Sequence, residues 1–413
     1  MKKYRFEYFA SSPSGLEDLL AKELTDLGAT RTVPVRGGVQ FEGAHEVALK
    51  AVLLSRIASR VFKFLYQFEI KNEQDYYLGA TDIKWKELMD VNHTFRITTI
   101  FGDLPFERNE FRNSQFANLK LKDAIADYFR HHEGIRPSVE KDTPDVSYLA
   151  RIDRGTEKPY VATIMYDLCG DPLNQRGYRV SKVEAPVKEN VAAGILKLVN
   201  WNPAEEDLID GMCGSGTFVI EAALMAANIA PSYLRVEWYL QNPELNKPWT
   251  FLNYQWLTQD KELMEVFNKL TKEIMANTKA GIEKLAEMKG RISGNDVSDM
   301  SLKTAWDNLR EAGLDRVINL TKIDARVLNP NQNKTLFICN PPYGERLEHG
   351  EEEKLKALYK GLGDHWKHNF KGHRAALFTG NLQMLKSVGL KTSKKHLLYN
   401  GDIDCRVAEY NLY

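Results

Sequence analysis

The chain has 413 residues, 43% hydrophobic and 27% charged, an ordinary globular composition for two or three domains. Its 56 basic and 56 acidic residues cancel, and no apolar run approaches the ~20 residues of a membrane span. Any nucleic-acid surface must therefore be a local patch, and the four scattered cysteines, with no CxxC pair, argue against a zinc knuckle or disulfide scaffold and fit a reducing cytoplasm.

Met1–Ala10 lacks the apolar core of a signal peptide. Glu7–Gly28 reads as a short strand, a turn at Ser11–Gly15 and a helix. Ser14 and Glu17 have the spacing of a capping box, and Gly28 is the stop. Thr32–Val35 and Val39–Phe41 around Gly37-Gly38 predict a hairpin, and His45–Ser59 a helix. Residues 1–59 thus read as a small α+β module. A second spans 60–165. It has strand Val61–Ile70, a helix at Thr81–Met89 carrying Trp85, and strand Thr94–Phe101. The helix Ser114–Phe129 follows, with Phe116, Leu119, Ile125, Ala126 and Phe129 on its apolar side, then strands Val146–Ile152 and Tyr160–Leu168. Residues 166–185 are linker-like.

From 186 onward the pattern alternates. After a helix at Lys188–Val199 come strand Asp207–Asp210, helix Thr217–Asn228, strand Arg291–Gly294, helix Ser301–Gly313 and strands Ile318–Lys322 and Thr335–Cys339. A helix at Glu351–Phe370 and strand Arg374–Thr379 complete the series. Repeated βα units predict a mostly parallel, doubly wound sheet. Asn400-Gly401 between two strand-like runs predicts a terminal antiparallel hairpin. Residues 232–290 form a charged helical insertion. Trp85, Trp201 and Trp306 read as packing residues.

Three segments carry chemistry. In Asp210-Gly211-Met212-Cys213-Gly214-Ser215-Gly216-Thr217, a strand gives way to a Gly-rich turn and a helix. The glycines let backbone approach a ligand, and the helix start offers amides to a polar group. No Lys follows the second Gly, so it is not a P-loop. Nor is it GxGxxG, which disfavours a nicotinamide enzyme. Asp210 suits a cationic amine. The second segment is Asn295-Asp296 at the next strand end, where an acid can take ribose hydroxyls or simply cap a helix alongside Ser298 or Asp299. Asp324-Ala325 can meet an adenine amine or cap a turn.

The third is Asn340-Pro341-Pro342-Tyr343. Two prolines remove two competing donors, so the carbonyls of Asn340 and Pro341 join the Asn side chain as acceptors for an exocyclic NH2. Accepting both N–H bonds opposes delocalisation of the lone pair and makes the nitrogen a better nucleophile. Tyr343 can stack on a base.

Asp-x-Met-Cys-Gly-Ser-Gly-Thr followed by Asn-Pro-Pro-Tyr-Gly-Glu-Arg resembles the S-adenosylmethionine-dependent methyltransferases of amino nitrogens. With Gln175–Arg179 and Ala185–Glu189 upstream, the chain resembles the THUMP-domain RNA guanine-N2 methyltransferase family over essentially its whole length. The resemblance implies a Rossmann-like methyltransferase domain of the α/β class at 186–413, with a mostly parallel sheet ending in an antiparallel hairpin. A ferredoxin-like module at 1–59 and a THUMP domain at 60–165 would precede it. The cofactor would be S-adenosyl-L-methionine, held by Asp210, Gly211, Met212, Cys213, Gly214, Ser215, Gly216, Thr217, Asn295, Asp296, Asp324 and Ala325. Asn340, Pro341, Pro342 and Tyr343 would present guanine N2 of 23S ribosomal RNA or of a ribosome-assembly intermediate. Arg108, Arg112, Lys120, Lys122, Arg130, Arg136, Arg176 and Arg179 are the candidate RNA contacts, though Asp123, Asp127 and Glu133 intervene and a solvated mixed-charge face is equally compatible. No metal is expected: His131-His132 has no further ligands at metal spacing. The expected protein is monomeric, cytoplasmic and off the membrane. Gly211 stands where the family usually has Pro, and the second methyltransferase domain of some members is not expected here. A tRNA guanine-N2 enzyme, a DNA adenine-N6 enzyme and an assembly protein with secondary methylation remain the rivals.

Overall fold

A computed structural model of the chain describes residues 7–102, 111, 113–180, 186–245, 248–342, 351–400 and 403–413. Its strands form two seven-stranded sheets. The first contains β1 (Tyr8–Ser11), β2 (Arg31–Val35), β3 (Gly38–Glu42), β4 (Arg60–Ile70), β5 (Phe95–Phe101), β6 (Val146–Arg154) and β7 (Tyr160–Asp167). Their order is β2-β3-β1-β4-β7-β6-β5, antiparallel except for β5 with β6. Helices α1 (Glu17–Asp26), α2 (His45–Leu54), α3 (Glu73–Thr81) and α4 (Ser114–Glu133) pack along it. Strand β4 pairs with β1 through Arg60–Lys63 and with β7 through Phe62–Ile70. The division expected after residue 59 therefore falls inside one hydrogen-bonded sheet.

The second sheet contains β8 (Asp207–Asp210), β9 (Ile292–Asn295), β10 (Asn319–Thr321), β11 (Thr335–Cys339), β12 (Arg374–Thr379), β13 (Lys394–Asn400) and β14 (Ile403–Asn411) in the order β10-β9-β8-β11-β12-β14-β13. The first five are parallel, and β14 runs antiparallel to both β12 and β13. Every residue of β8 and β11 is buried, as suits strands covered on both faces. Helix α5 (Glu189–Leu198), the almost wholly buried α6 (Thr217–Ala226), the insertion helices α7 (Tyr233–Gln241), α8 (Gln255–Thr258) and α9 (Lys261–Glu287), then α10 (Asp299–Glu311), α11 (Glu351–Asn369) and α12 (Met384–Ser387) complete the second unit.

Several local expectations change. Helix α2 stops at Leu54, not Ser59. The Glu23 carboxylate accepts from Ser55 Oγ (2.6 Å) and from the amides of Arg56 (3.1 Å) and Ile57 (3.3 Å), taking the donors that a longer helix would use. The helix placed at 81–89 lies at 73–81, started by Asn72 accepting from the Asp75 amide (2.9 Å); Trp85 sits on a single 3₁₀ turn. The Ser14–Glu17 capping box does not form. Glu17 instead accepts from the amides of Gly15 (2.7 Å) and Gly37 (3.0 Å). On α4, Leu119 is 53% exposed while Leu121, Ile125 and Phe129 are buried. Two residues are ~200° of helix, which sets Leu119 opposite Leu121. Trp85 and Trp201 are buried, but Trp306 is 44% exposed.

The two sheet units share a continuous core. Buried Arg56 donates to the carbonyls of Leu224 (3.2 Å) and Ile229 (2.7 Å) across the junction. A Cβ on Gly194 would lie 2.4 Å from Leu16, and one on Gly15 only 2.2 Å from the Leu397 carbonyl. Backbone of each unit therefore sits directly against the other.

Candidate functional site

Strand register brings the three segments together. Asp210 pairs with Gly294 of β9 on one side and with Ile338 of β11 on the other. Met212, Asp296 and Asn340 are each two residues beyond this row. All three segments leave the sheet at one level, at the carboxyl ends of parallel strands. Between β8 and β11 the strand order changes direction, which is where open α/β sheets form their crevice.

The Gly-rich turn is held from all sides. Gly211 N–H donates to the Ile338 carbonyl (2.9 Å) and Cys213 N–H to that of Asn295 (2.9 Å). Gly214 and Gly216 adopt φ of +52° and +81°, the left-handed region that glycine enters without strain. A Cβ on Gly214 would meet nothing within 4 Å, so the turn's outer face is open. A Cβ on Gly211 would lie 2.2 Å from the Phe337 ring. That explains the absence of proline here, since the buried Phe337 ring fills the space.

Asp210 is fully buried. Its Oδ1 accepts from Met212 N–H (3.2 Å), and its Oδ2 has no hydrogen-bond partner. Burial first, with Asp296 adding charge, pushes its carboxyl up to about 8. A desolvated carboxylate with an orphaned oxygen is a receptor for a cation. Asp296 spans two loops: Oδ2 accepts from Gly214 N–H (3.0 Å) and Oδ1 from Ser298 N–H (2.9 Å). Ser298 is the cap of α10, so Asp296 is not the cap. Asn295 is buried and its amide faces the Asp210 carbonyl (3.4 Å), while its oxygen accepts from Thr321 Oγ1. Asp324 is paired with Arg326 (Nη2 at 2.5 Å) and accepts from its amide (2.9 Å), which holds its carboxyl below the usual range. Ala325 is buried beside it. Asn340 is half-buried, Pro341 buried and Pro342 exposed. Tyr343 lies outside the described residues.

Two expected RNA contacts are elsewhere. Arg176 is buried, donating to the carbonyls of Leu173 (2.6 Å) and Arg56 (2.6 Å) and lying 3.5 Å from Glu221. Its burial among acceptors removes it from any RNA surface. Arg179 is turned inward against the Gly-rich turn. It bonds Ser215 Oγ (3.1 Å), Thr217 Oγ1 (3.2 Å), the Val187 carbonyl (3.2 Å) and the Glu189 carboxylate (3.0 Å). Its fork is a brace for the start of α6. Asn308 completes the brace, donating to the Ser215 carbonyl (2.9 Å) and accepting from Val180 N–H (3.0 Å). No local pattern marks Asn308 or Phe337, since both act across the fold. The Arg-x-x-Arg spacing does not separate an inward side chain from an outward one.

Lys120, Lys122, Arg130 and Arg136 do come together. With Tyr77 and Asp127 they line a concavity of about 410 Å³ on the first unit. Lys122 pairs with Asp123 (2.8 Å) and Arg130 with Asp127 (2.7 Å). Arg136 is exposed with no ion pair among the described residues. Arg108 and Arg112 lie outside the described residues. Among the described residues no helix is long and apolar enough to cross a membrane.

Comparison with known families matches residues 176–409 to the RMKL-like methyltransferase domain, 7–62 to the RlmL ferredoxin-like domain and 71–156 to the THUMP domain. Two curated relatives are both named ribosomal RNA large subunit methyltransferase K/L. The one from Syntrophotalea carbinolica is 35% identical over 98% of this chain and 53% of that protein. The one from Psychromonas ingrahamii is 38% identical over 98% of this chain and 50% of that protein. The chain thus spans about half the length of the curated relatives it matches. Among solved structures, SMU.472, described as a methyltransferase and crystallised with SAH, is 27% identical with a TM-score of 0.79, covering 100% of this chain and 99% of that one.

Proposed function

Given that this chain belongs to the RMKL-like methyltransferase family, we propose that it methylates the exocyclic N2 of a guanosine in 23S ribosomal RNA, with S-adenosylmethionine as donor. The observation that carries the reading is the common level at which Met212, Asp296 and Asn340 leave three adjacent strands. A cofactor loop and an amine-accepting loop then face one crevice. We also divide the chain into a ferredoxin-like module (1–59), a THUMP domain (60–165), a linker (166–185) and a methyltransferase domain (186–413), acting as a cytoplasmic monomer. The four cysteines are buried and form no disulfide with one another, as suits a reducing compartment.

The residues present suit the cofactor. The orphaned Asp210 oxygen fits an ammonium group, and the open face at Gly214 leaves room for close backbone approach. We assign Asp296, between the turn and α10, to the ribose hydroxyls, and Asp324-Ala325 to the adenine. When bound, S-adenosylmethionine supplies an electrophilic methyl carbon on a sulfonium centre. Asn340 and the Pro341 carbonyl orient the target amine and keep its lone pair out of the ring. The surplus proton leaves to solvent, so positioning carries the rate. Lys120, Lys122, Arg130 and Arg136 supply phosphate contacts.

The test uses labelled S-adenosylmethionine with protein-free 23S rRNA, 16S rRNA and bulk tRNA from cells lacking the enzyme, digested to nucleosides. N2-methylguanosine from 23S rRNA is the expected product. Label only in tRNA transfers the reading to tRNA, and N6-methyladenosine refutes the target base. Asn340→Ala should abolish turnover and spare cofactor binding; near-normal kcat would remove Asn340 from the chemistry.

A further inference from the structure

The outer edge of the second sheet carries a groove that the reaction does not use. Among the described residues, strand β10 ends the sheet and pairs only with β9. Beside it, Trp306, Lys289, Arg316, Asn319 and Thr321 line a cavity of about 690 Å³. Trp306 is 44% exposed, on a helix whose neighbouring Ala305 and Leu309 are fully buried. An indole left open in a groove is a surface for a flat partner. Lys289 and Arg316 are both exposed, with no ion pair among the described residues. Asp315 also lines the groove, leaving one excess positive charge. The upper end is Thr321, whose hydroxyl bonds Asn295 directly below Asp296. The groove therefore runs up to the rim of the crevice.

We propose that this groove binds an unpaired nucleotide of the RNA substrate, with its base stacked on Trp306 and its flanking phosphates on Lys289 and Arg316. An aromatic platform between cations is the pairing that single-stranded RNA takes, since every base has a π-face and every linkage a negative charge. The exposed Asn319 side chain and the outer backbone edge of β10 add donors and acceptors for the base or sugar. The groove extends the substrate footprint from the first unit across the methyltransferase unit. The proposal rests on the RNA reading above.

The test measures binding of a single-stranded oligoribonucleotide and methylation of 23S rRNA in parallel. Trp306→Ala should weaken oligoribonucleotide binding and raise KM for RNA about fivefold or more. kcat and cofactor affinity should not change. Lys289→Glu with Arg316→Glu, both on the surface, should lower the slope of log affinity against log salt by about 1.4, the value for two phosphates on a single strand. Unchanged affinity and salt slope in both variants, with methylation intact, would overturn the groove alone. If the unaltered protein binds and methylates no RNA, the RNA reading falls and this inference with it. Quenching of Trp306 fluorescence by the oligoribonucleotide, absent in Trp306→Phe, would localise the contact.

Discussion

Asp210 and Gly211 show how adjacent residues in one motif depend on different things. The Asp210 carboxyl is pushed up to about 8 by burial. The folded chain therefore holds that proton more tightly than the unfolded chain does, and this group's contribution to stability falls as pH rises from about 4 to about 8. In Asp210→Asn that fall should vanish, which melting temperatures between pH 5 and 8 would reveal. Binding of a cationic amine to the ionised form should release about one proton near pH 6.5, a stoichiometry that calorimetry in two buffers reads out and Asp210→Asn should lose. Gly211 depends instead on Phe337. Gly211→Ala should destabilise by about 1–3 kcal/mol through overpacking. Phe337→Leu in the same chain should recover part of it; denaturant melts of the single and double variants measure that coupling.

Among the elements, α6 follows the Gly-rich turn directly, and its start is set from outside. Arg179 precedes the helix by nearly forty residues and still bonds the hydroxyls of Ser215, in the Gly-rich turn, and of Thr217, the first residue of the helix. Arg179→Ala removes charge-assisted hydrogen bonds of about 1.5–3 kcal/mol. The expected result is a rise in cofactor KM of about tenfold or more, with oligoribonucleotide affinity unchanged. A loss of RNA affinity with normal cofactor KM would restore Arg179 to the RNA surface. Strand β11 is legible in the sequence because a strand buried on both faces reads as an apolar run, here Leu336–Cys339. Helix α3 lies at 73–81 rather than 81–89 because Asn72, not the Trp85 region, supplies its cap.

At the level of the whole molecule, the junction between the two sheet units is a packed core with buried charges. Arg56, Arg176 and Glu221 lie there with Tyr178, whose hydroxyl donates to Glu221 (3.1 Å). Burial lowers the proton affinity of Arg56 and raises that of Glu221, each opposed by the other's charge. Removing one member leaves an uncompensated charge in the core. Arg56→Ala should destabilise the protein by ~3 kcal/mol or more, and calorimetry should show both units affected. A change under ~1 kcal/mol would mean that apolar contacts alone hold the units together. A fixed junction keeps the concavity on the first unit at a set distance from the crevice, as the proposed engagement of both by one RNA requires.

The βα order, the Gly-rich turn, the Asn-Pro-Pro segment and the terminal hairpin were all readable along the chain. Each is a local matter of period, backbone freedom or missing donors, and needs only near neighbours in sequence. Tertiary structure alone decided which way the charged side chains face. Arg176, Arg179, Lys120 and Arg136 look alike in sequence, yet Arg176 is buried, Arg179 is a half-buried brace, and the other two line the concavity of the first unit. The difference lies in acceptors contributed by residues far away, such as Glu221, Ser215 and the Arg56 carbonyl. The exposure of Trp306 and the fit of Gly211 to Phe337 were decided in the same way, by packing between segments that no local pattern relates.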